Sequence, residues 1–201
     1  MFILTKIADL VQIKASDFSK PSIEAIEDNI NAKYANKVLQ KIGLCVALYD
    51  ILWTSEGLIG HGTGEVNVNA EFRMIVFRPF KGETMLGKIK SSTPSGINLY
   101  TEFFNDIFVP FEELPPGSEY SHSDQVWVWK AEDDVNLYYD VGEVVRFQVI
   151  EEEWHDQTPA GPSQTGPGGA DDEENAMAPY KIKGSMMRGG LGVCLWWDST
   201  E

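Results

Sequence analysis

The stretch from Glu65 to Val76 constrains this fold more than any other part of the chain. Val66, Val68, Ala70, Phe72, Met74 and Val76 alternate with Glu65, Asn67, Asn69, Glu71 and Arg73. A period of two over that length predicts a strand whose sheet is covered on one face and open on the other. The covered face needs a packing layer, and the preceding sequence supplies one. Ile23, Ile26, Ile30, Tyr34 and Val38 recur at steps of three and four, predicting a helix from Ser19 to Gln40. Ser19 is its expected cap, with Pro21 and Glu24 in the first turn. Lys37 and Lys41 suit its carboxyl end, and Gly43 its close. Phe2 to Ile13 and Leu44 to Trp53 read as strands. Residues 1–79 therefore predict strand, helix, strand, glycine-rich loop and strand.

Beyond Pro79 the pattern changes to short strands, with no helix. Thr84 to Ser92, Ile97 to Phe103, Ile107 to Phe111, Gln125 to Ala131 and Glu143 to Ile150 are the expected strands. Ser95-Gly96 and Asn105-Asp106 are expected turns. Tyr180 to Met186 and Leu191 to Trp197 close the set around Arg188-Gly189-Gly190. Five or more short strands in this length suit a closed Greek-key barrel of the OB type, since closure removes exposed edges. The fold class is thus α+β, a sheet-plus-helix domain over 1–79 and a barrel over 80–201, joined at Phe80-Lys81-Gly82-Glu83. Residues 155–179, with Asp171-Asp172-Glu173-Glu174 and almost no apolar side chain, predict a flexible acidic Pro/Gly insertion within the barrel.

The net charge of −15 is unevenly spread. Residues 1–79 carry 8 basic against 9 acidic side chains, 80–150 carry 5 against 12, 151–179 none against 8, and 180–201 carry 3 against 2. A chain so acidic does not bind nucleic acid through bulk charge, so any RNA contact has to be local. Two cysteines, Cys45 and Cys194, far apart in the sequence, imply no disulfide framework. The amino terminus lacks the basic region of a signal peptide, and no apolar run is long enough to cross a bilayer, so no membrane partner is expected.

Three local features carry the candidate chemistry. Gly57-Leu58-Ile59-Gly60-His61-Gly62-Thr63-Gly64 lacks the Gly-Lys-Ser/Thr ending of a phosphate loop and precedes a strand instead of a helix. It reads as a hairpin tip, or as a protein-docking loop because Leu58 and Ile59 are apolar at its tip. Lys88 and Lys90 share one strand face, followed by Tyr100, Phe103, Phe104 and Phe108. This is the basic and aromatic mixture on which OB barrels stack single-stranded RNA, although some of these rings have to be core. Trp127 and Trp129 alternate with Val126 and Val128, so one pair faces in and the other out. His61, His122 and His155 are isolated, no metal-ligand spacing occurs, and neither a nucleophile elbow nor a marked carboxylate pair is present. No cofactor, metal or catalytic residue is expected.

Phe2-Ile3-Leu4 through Ile7-Ala8-Asp9-Leu10-Val11, Gly43-Leu44-Cys45-Val46, and Val76-Phe77-Arg78-Pro79-Phe80-Lys81-Gly82-Glu83 form a recognisable set. With them go Gly87-Lys88-Ile89, Phe103-Phe104-Asn105-Asp106-Ile107-Phe108-Val109-Pro110 and Gly142-Glu143-Val144-Val145-Arg146-Phe147. Over nearly its whole length the sequence resembles the OB-fold-containing stalk subunit of DNA-directed RNA polymerases. The amino-terminal wording and Gly190-Leu191-Gly192-Val193-Cys194-Leu195-Trp196-Trp197 look most like the polymerase III version. The resemblance implies a noncatalytic nuclear protein that forms a heterodimer with a small helical stalk subunit. It implies a tip domain whose loop, residues 55–64 here, docks on the polymerase III core subunits. It also implies a role in initiation at transfer-RNA and 5S ribosomal RNA genes, with the OB face near nascent RNA; the acidic composition of residues 155–179 separately suggests contact with basic partners such as initiation factors. The alternatives are a free single-stranded-RNA-binding OB protein and the paralogous polymerase II stalk subunit.

Overall fold

The computed structural model describes residues 1–131, 135–155 and 178–197. The acidic insertion expected at 155–179 falls for its greater part outside the described residues. The chain divides into two compact units, Met1–Pro79 and Phe80–Glu201.

In the first unit, β1 (Phe2–Ile13), α1 (Ser22–Tyr34), β2 (Lys37–Leu39), β3 (Gly43–Thr54), β4 (Leu58–Ile59) and β5 (Val66–Phe77) follow one another. They form one antiparallel sheet ordered β1-β5-β3-β2, with β4 also on β5. The alternation of β5 is realised, since Val68, Ala70, Phe72, Met74 and Val76 are all buried. They pack with Val11 and Ile13 of β1 and with Ala25, Ile26 and Ile30 of α1. The opposite face of the sheet carries Leu4, Lys6, Ala8 and Leu10 and stays exposed.

The helix is shorter than its periodicity predicts. It ends at Tyr34, and Asn36 takes a left-handed φ of 59°. Lys37 to Leu39 then leave the helix to pair with Gly43 to Cys45 as β2. Val38 satisfies the helical spacing by coincidence, because period 3.6 and period 2 agree over so few residues. Nor does Ser19 cap α1. Pro21 stands at that position without a side-chain hydrogen bond, and Ile23 is 68% exposed, so it belongs to the solvent face. Gly43, with a φ of 137°, opens β3 because a Cβ there would lie 2.6 Å from the Phe77 carbonyl oxygen.

In the second unit, β6 (Thr84–Thr93), β7 (Gly96–Tyr100), β8 (Ile107–Pro110), β9 (Ser118–Ser121), β10 (Val126–Lys130), β11 (Asn136–Tyr138), β12 (Val144–Trp154), β13 (Tyr180–Ser185) and β14 (Gly192–Val193) are found. The ring β6-β7-β8-β13-β12 closes on itself, because β12 pairs with both β6 and β13. Four of its five pairings are antiparallel and β8 with β13 is parallel, which gives a closed five-stranded barrel of the OB type. Its interior holds Met85, Ile89, Ile97, Leu99, Ile107, Val109, Phe147, Tyr180 and Ile182. The expected final strand is reduced to β14, after which Cys194 to Trp196 turn as a 3-10 helix.

The meander β9-β10-β11 goes beyond the single strand expected there. Trp127 of β10 is buried and Trp129 half-buried. The Trp127 indole donates to the Thr93 carbonyl oxygen at 2.9 Å, while Trp129 packs on Trp196 with ring centroids 5.6 Å apart. Trp127 is thus removed from any exposed platform, while Trp129 keeps part of its surface in solvent.

Candidate functional site

Barrel closure sets which expected contact residues become neighbours. On β6 the even positions Lys88 and Lys90 are exposed while Gly87 and Ile89 are buried. Tyr100 of β7 lies directly opposite Lys88 in the antiparallel ladder. Asn98, two residues back on the same face, stands opposite Phe108 of β8. Phe108 is in turn paired with Lys183 of β13. The Lys181 ammonium lies 4.8 Å from the centroid of the Phe108 ring. Four strands thus present one outer strip bearing Lys88, Tyr100, Asn98, Phe108, Lys181 and Lys183.

The backbone explains why the strip is outward. Ile97 and Leu99, Ile107 and Val109, Tyr180 and Ile182 point into the barrel, so their alternate neighbours point out. Lys90 sits at the register shift between Ile89 and Ser91. With Asn98, Lys181, Asp106, Glu153 and His155 it lines a cleft of about 350 Å³. The far edge is acidic, since Glu151 and Glu153 of β12 pair with Lys183 and Lys181. Positive charge is therefore confined to a narrow band, and ring faces lie within it. Phosphate neutralisation needs such clustered positive charge, and base stacking needs such ring faces.

Of the expected rings, Phe104 is core, at 5% exposure and packed on Tyr180. Phe103 is exposed in the β7–β8 connection, outside the strand ladder. Lys181, Lys183 and Asn98 carry no mark in the sequence that joins them to this face. The spacing of Lys181 and Lys183 matches that of Lys88 and Lys90, but only closure shows that the two pairs share a face.

The glycine-rich loop is a hairpin. Leu58 and Ile59 pair with Asn67 and Val66, and the Gly60 amide donates to the Glu65 carbonyl at 2.8 Å. Gly62 and Gly64 take left-handed φ values of 86° and 68° around His61 and Thr63. Leu58 is 70% and Ile59 74% exposed, so two aliphatic side chains project from the tip. Among the described residues no three His, Cys, Asp or Glu side chains cluster as metal ligands.

Two side chains of the second unit, half-buried Glu143 and buried Tyr139, carry inaccessible oxygen atoms. Burial, with the neighbouring Asp140 charge, holds the Glu143 carboxyl above its usual range, and its Oε2 has no hydrogen-bond partner among the described residues. Burial likewise pushes the Tyr139 phenol upward. In the first unit burial raises the Asp9 carboxyl, but hydrogen bonds from Lys33 and Tyr34 outweigh it and leave Asp9 below the ordinary carboxylate range.

Residues 83–197 match the family model described as RNA polymerase III subunit Rpc25. Residues 8–64 match the SHS2 domain found in the N terminus of Rpb7p/Rpc25p/MJ0397. The chain is 40% identical to DNA-directed RNA polymerase III subunit rpc8 of Schizosaccharomyces pombe, over 98% of this chain and all of that protein. It is 37% identical to subunit RPC8 of Bos taurus over the full length of both. To subunit RPC8 of Saccharomyces cerevisiae it is 36% identical, over 98% of this chain and all of that protein. An SHS2 domain, an OB-type barrel and full-length similarity on this scale converge on one assignment: the chain belongs to the RNA polymerase III subunit Rpc25 (RPC8) family.

Proposed function

We propose that this protein is a noncatalytic stalk subunit of a nuclear RNA polymerase III, which holds the core through its tip and meets nascent RNA on its barrel. The observation that carries the RNA reading is the outer strip of Lys88, Tyr100, Phe108, Lys181 and Lys183 across four barrel strands. Its two rings, Tyr100 and Phe108, stand on the second and third strands of the barrel, the face on which an OB fold takes oligonucleotides. Its narrowness, beside Glu151 and Glu153, suits weak contact strengthened by assembly better than autonomous high affinity.

Leu58 and Ile59 support the docking part of the reading. A two-residue apolar projection held by a short ladder is a compact anchor for a groove in a larger protein. The open apolar face of the first unit supports a heterodimer with a small helical subunit, since such a face is otherwise left in water. Initiation at transfer-RNA and 5S ribosomal RNA genes, with contacts to initiation factors, is the role proposed for the assembly.

Photocrosslinking of nascent RNA in the assembled polymerase tests the site. The reading expects label on the peptides holding Lys88 to Tyr100 and Lys181 to Lys183. Label confined to the first unit would refute the site. Nanomolar, sequence-tolerant RNA binding by the isolated chain would favour a free RNA-binding protein instead.

A further inference from the structure

The cleft at the edge of the basic strip holds charges of both signs that do not neutralise one another. Lys90 and Lys181 bring two ammonium groups to it, and Asp106 and Glu153 bring two carboxylates. Among the described residues no ion pair engages either lysine, although Lys181 stands opposite Glu153 in the β12–β13 ladder. The Glu153 carboxylate has the His155 imidazole 3.9 Å away. The Asp106 carboxylate has no hydrogen-bond or ion-pair partner among the described residues. Its backbone is fixed nonetheless, because the Ile182 amide donates to the Asp106 carbonyl at 2.9 Å and ties it to β13.

Charge balance decides the kind of ligand. Two ammonium groups against two carboxylates leave no surplus of positive charge, so the cleft does not suit a phosphate. It suits a neutral group with donors on one edge and acceptors on the next. Its volume of about 350 Å³ is near the lower end of the roughly 300–1,000 Å³ of ligand clefts, room for one small planar group. Among the RNA bases only guanine carries N–H donors on two neighbouring atoms, N1 and N2, which match the two oxygens of one carboxylate. Its O6 and N7 are a pair of acceptors of the kind an ammonium reads. Uracil offers one N–H between two carbonyls, and adenine and cytosine offer one amino group beside an acceptor.

We propose that this cleft selects a guanine base in single-stranded RNA, whose N1–H and N2–H donate to the Asp106 carboxylate while the Lys90 ammonium donates to O6 and N7. Lys90 takes this part because the Lys181 ammonium is already engaged by the Phe108 ring at 4.8 Å. The Asn98 amide donates to the Ser91 hydroxyl at 3.1 Å, which leaves its side-chain oxygen as a further acceptor at the rim. The inference rests on the RNA reading of the strip and adds a base preference to it. Ring faces and ammonium groups alone do not supply one, since every base has a face to stack.

Amide chemical shifts of the full chain, titrated with the oligonucleotides UUGUU, UUAUU, UUCUU and UUUUU, test it, because such titrations register weak binding. UUGUU is expected to bind about tenfold or more tighter than the other three, as one bidentate base contact allows, and to shift the Lys90, Asn98 and Asp106 amides. Equal affinities, with shifts along the strip, would overturn the guanine assignment and leave the RNA reading standing. No shift with any of them would also overturn the assignment, and crosslinking in the assembled polymerase then decides the RNA reading separately. GMP binding as tightly as UUGUU would overturn it too, because the ligand would then be a free nucleotide. Asp106→Asn keeps the backbone bond from Ile182 and exchanges one acceptor for a donor. It should bring the preference for UUGUU to within about twofold, and an unchanged preference would overturn the proposal. Inosine in place of guanine removes only the N2 amine and needs no variant protein. It should lose most of the preference; full retention would overturn the Asp106 contact and the proposal with it.

Discussion

Lys181 reaches diagonally across the parallel pair β8 and β13 to Phe108, with the ammonium 4.8 Å from the ring centroid. An ammonium at that distance from a ring face is in cation–π range. The same ring and ammonium are the two elements needed to hold a nucleotide, one for the base and one for the phosphate. Phe108→Ala is expected to weaken single-stranded RNA binding to the assembled stalk by about 1–3 kcal/mol, the range for one stacked base. Lys88→Ala should instead lower the log–log salt slope of binding by about 0.7 with little sequence dependence. Fluorescence anisotropy over a salt series measures both. An unchanged slope would remove Lys88 from the phosphate path.

Gly96 lets β7 lie close against β8. Its φ is 152°, and a Cβ there would lie 2.2 Å from the Val109 carbonyl oxygen and 2.8 Å from the Pro110 Cα. Both obstacles are backbone, so no side-chain rotation relieves them. Gly96→Ala is expected to destabilise the barrel by about 2 kcal/mol or more, seen as a lowered urea midpoint with the slope retained.

Ile30 and Ile23 distinguish the true helix face from the one that spacing suggests. Ile30 is fully buried among β1, β3 and β5 residues, whereas Ile23 is exposed. Ile30→Ala should cost about 2–5 kcal/mol. Ile23→Ala should stay within about 0.5 kcal/mol, as other solvent-face substitutions do. Equal losses at the two positions, measured by denaturant unfolding, would contradict the packing.

Asp9 gives the first unit an acid-sensitive component. Its folded carboxyl lies below the ordinary value of 3.8, held there by Lys33 and Tyr34 against the opposing effect of burial. The stabilisation is therefore fully present above the unfolded value and is lost as pH falls through the folded one. Asp9→Asn should reduce stability near neutrality and flatten the loss of stability as the pH drops below about 4. Thermal melts from about pH 3 to 7 span that window; parallel curves would remove Asp9 from the linkage.

Much of the fold is legible in the sequence, for local reasons. The β5 strand announces itself because alternate residues from Val68 to Val76 answer to one sheet face, and the short strands after Phe80 fit a closed barrel. The helix is read too long because Val38 satisfies helical spacing while pairing as a strand with Leu44. Lys183 cannot be joined to Lys88 from sequence, since their shared face depends on a parallel pairing between β8 and β13, which lie far apart along the chain. Likewise Phe104 and Phe103 are adjacent in sequence, yet one packs against Tyr180 in the core and the other is exposed.

Isolation of the tagged full-length chain from its own cells, with identification of the large polypeptides that accompany it, tests the central claim most directly. The core subunits of RNA polymerase III are expected in stoichiometric amount, and they should be depleted when Leu58 and Ile59 are both changed to Asp. A clean, stable preparation that lacks those subunits, or that holds the polymerase II core in their place, would contradict it.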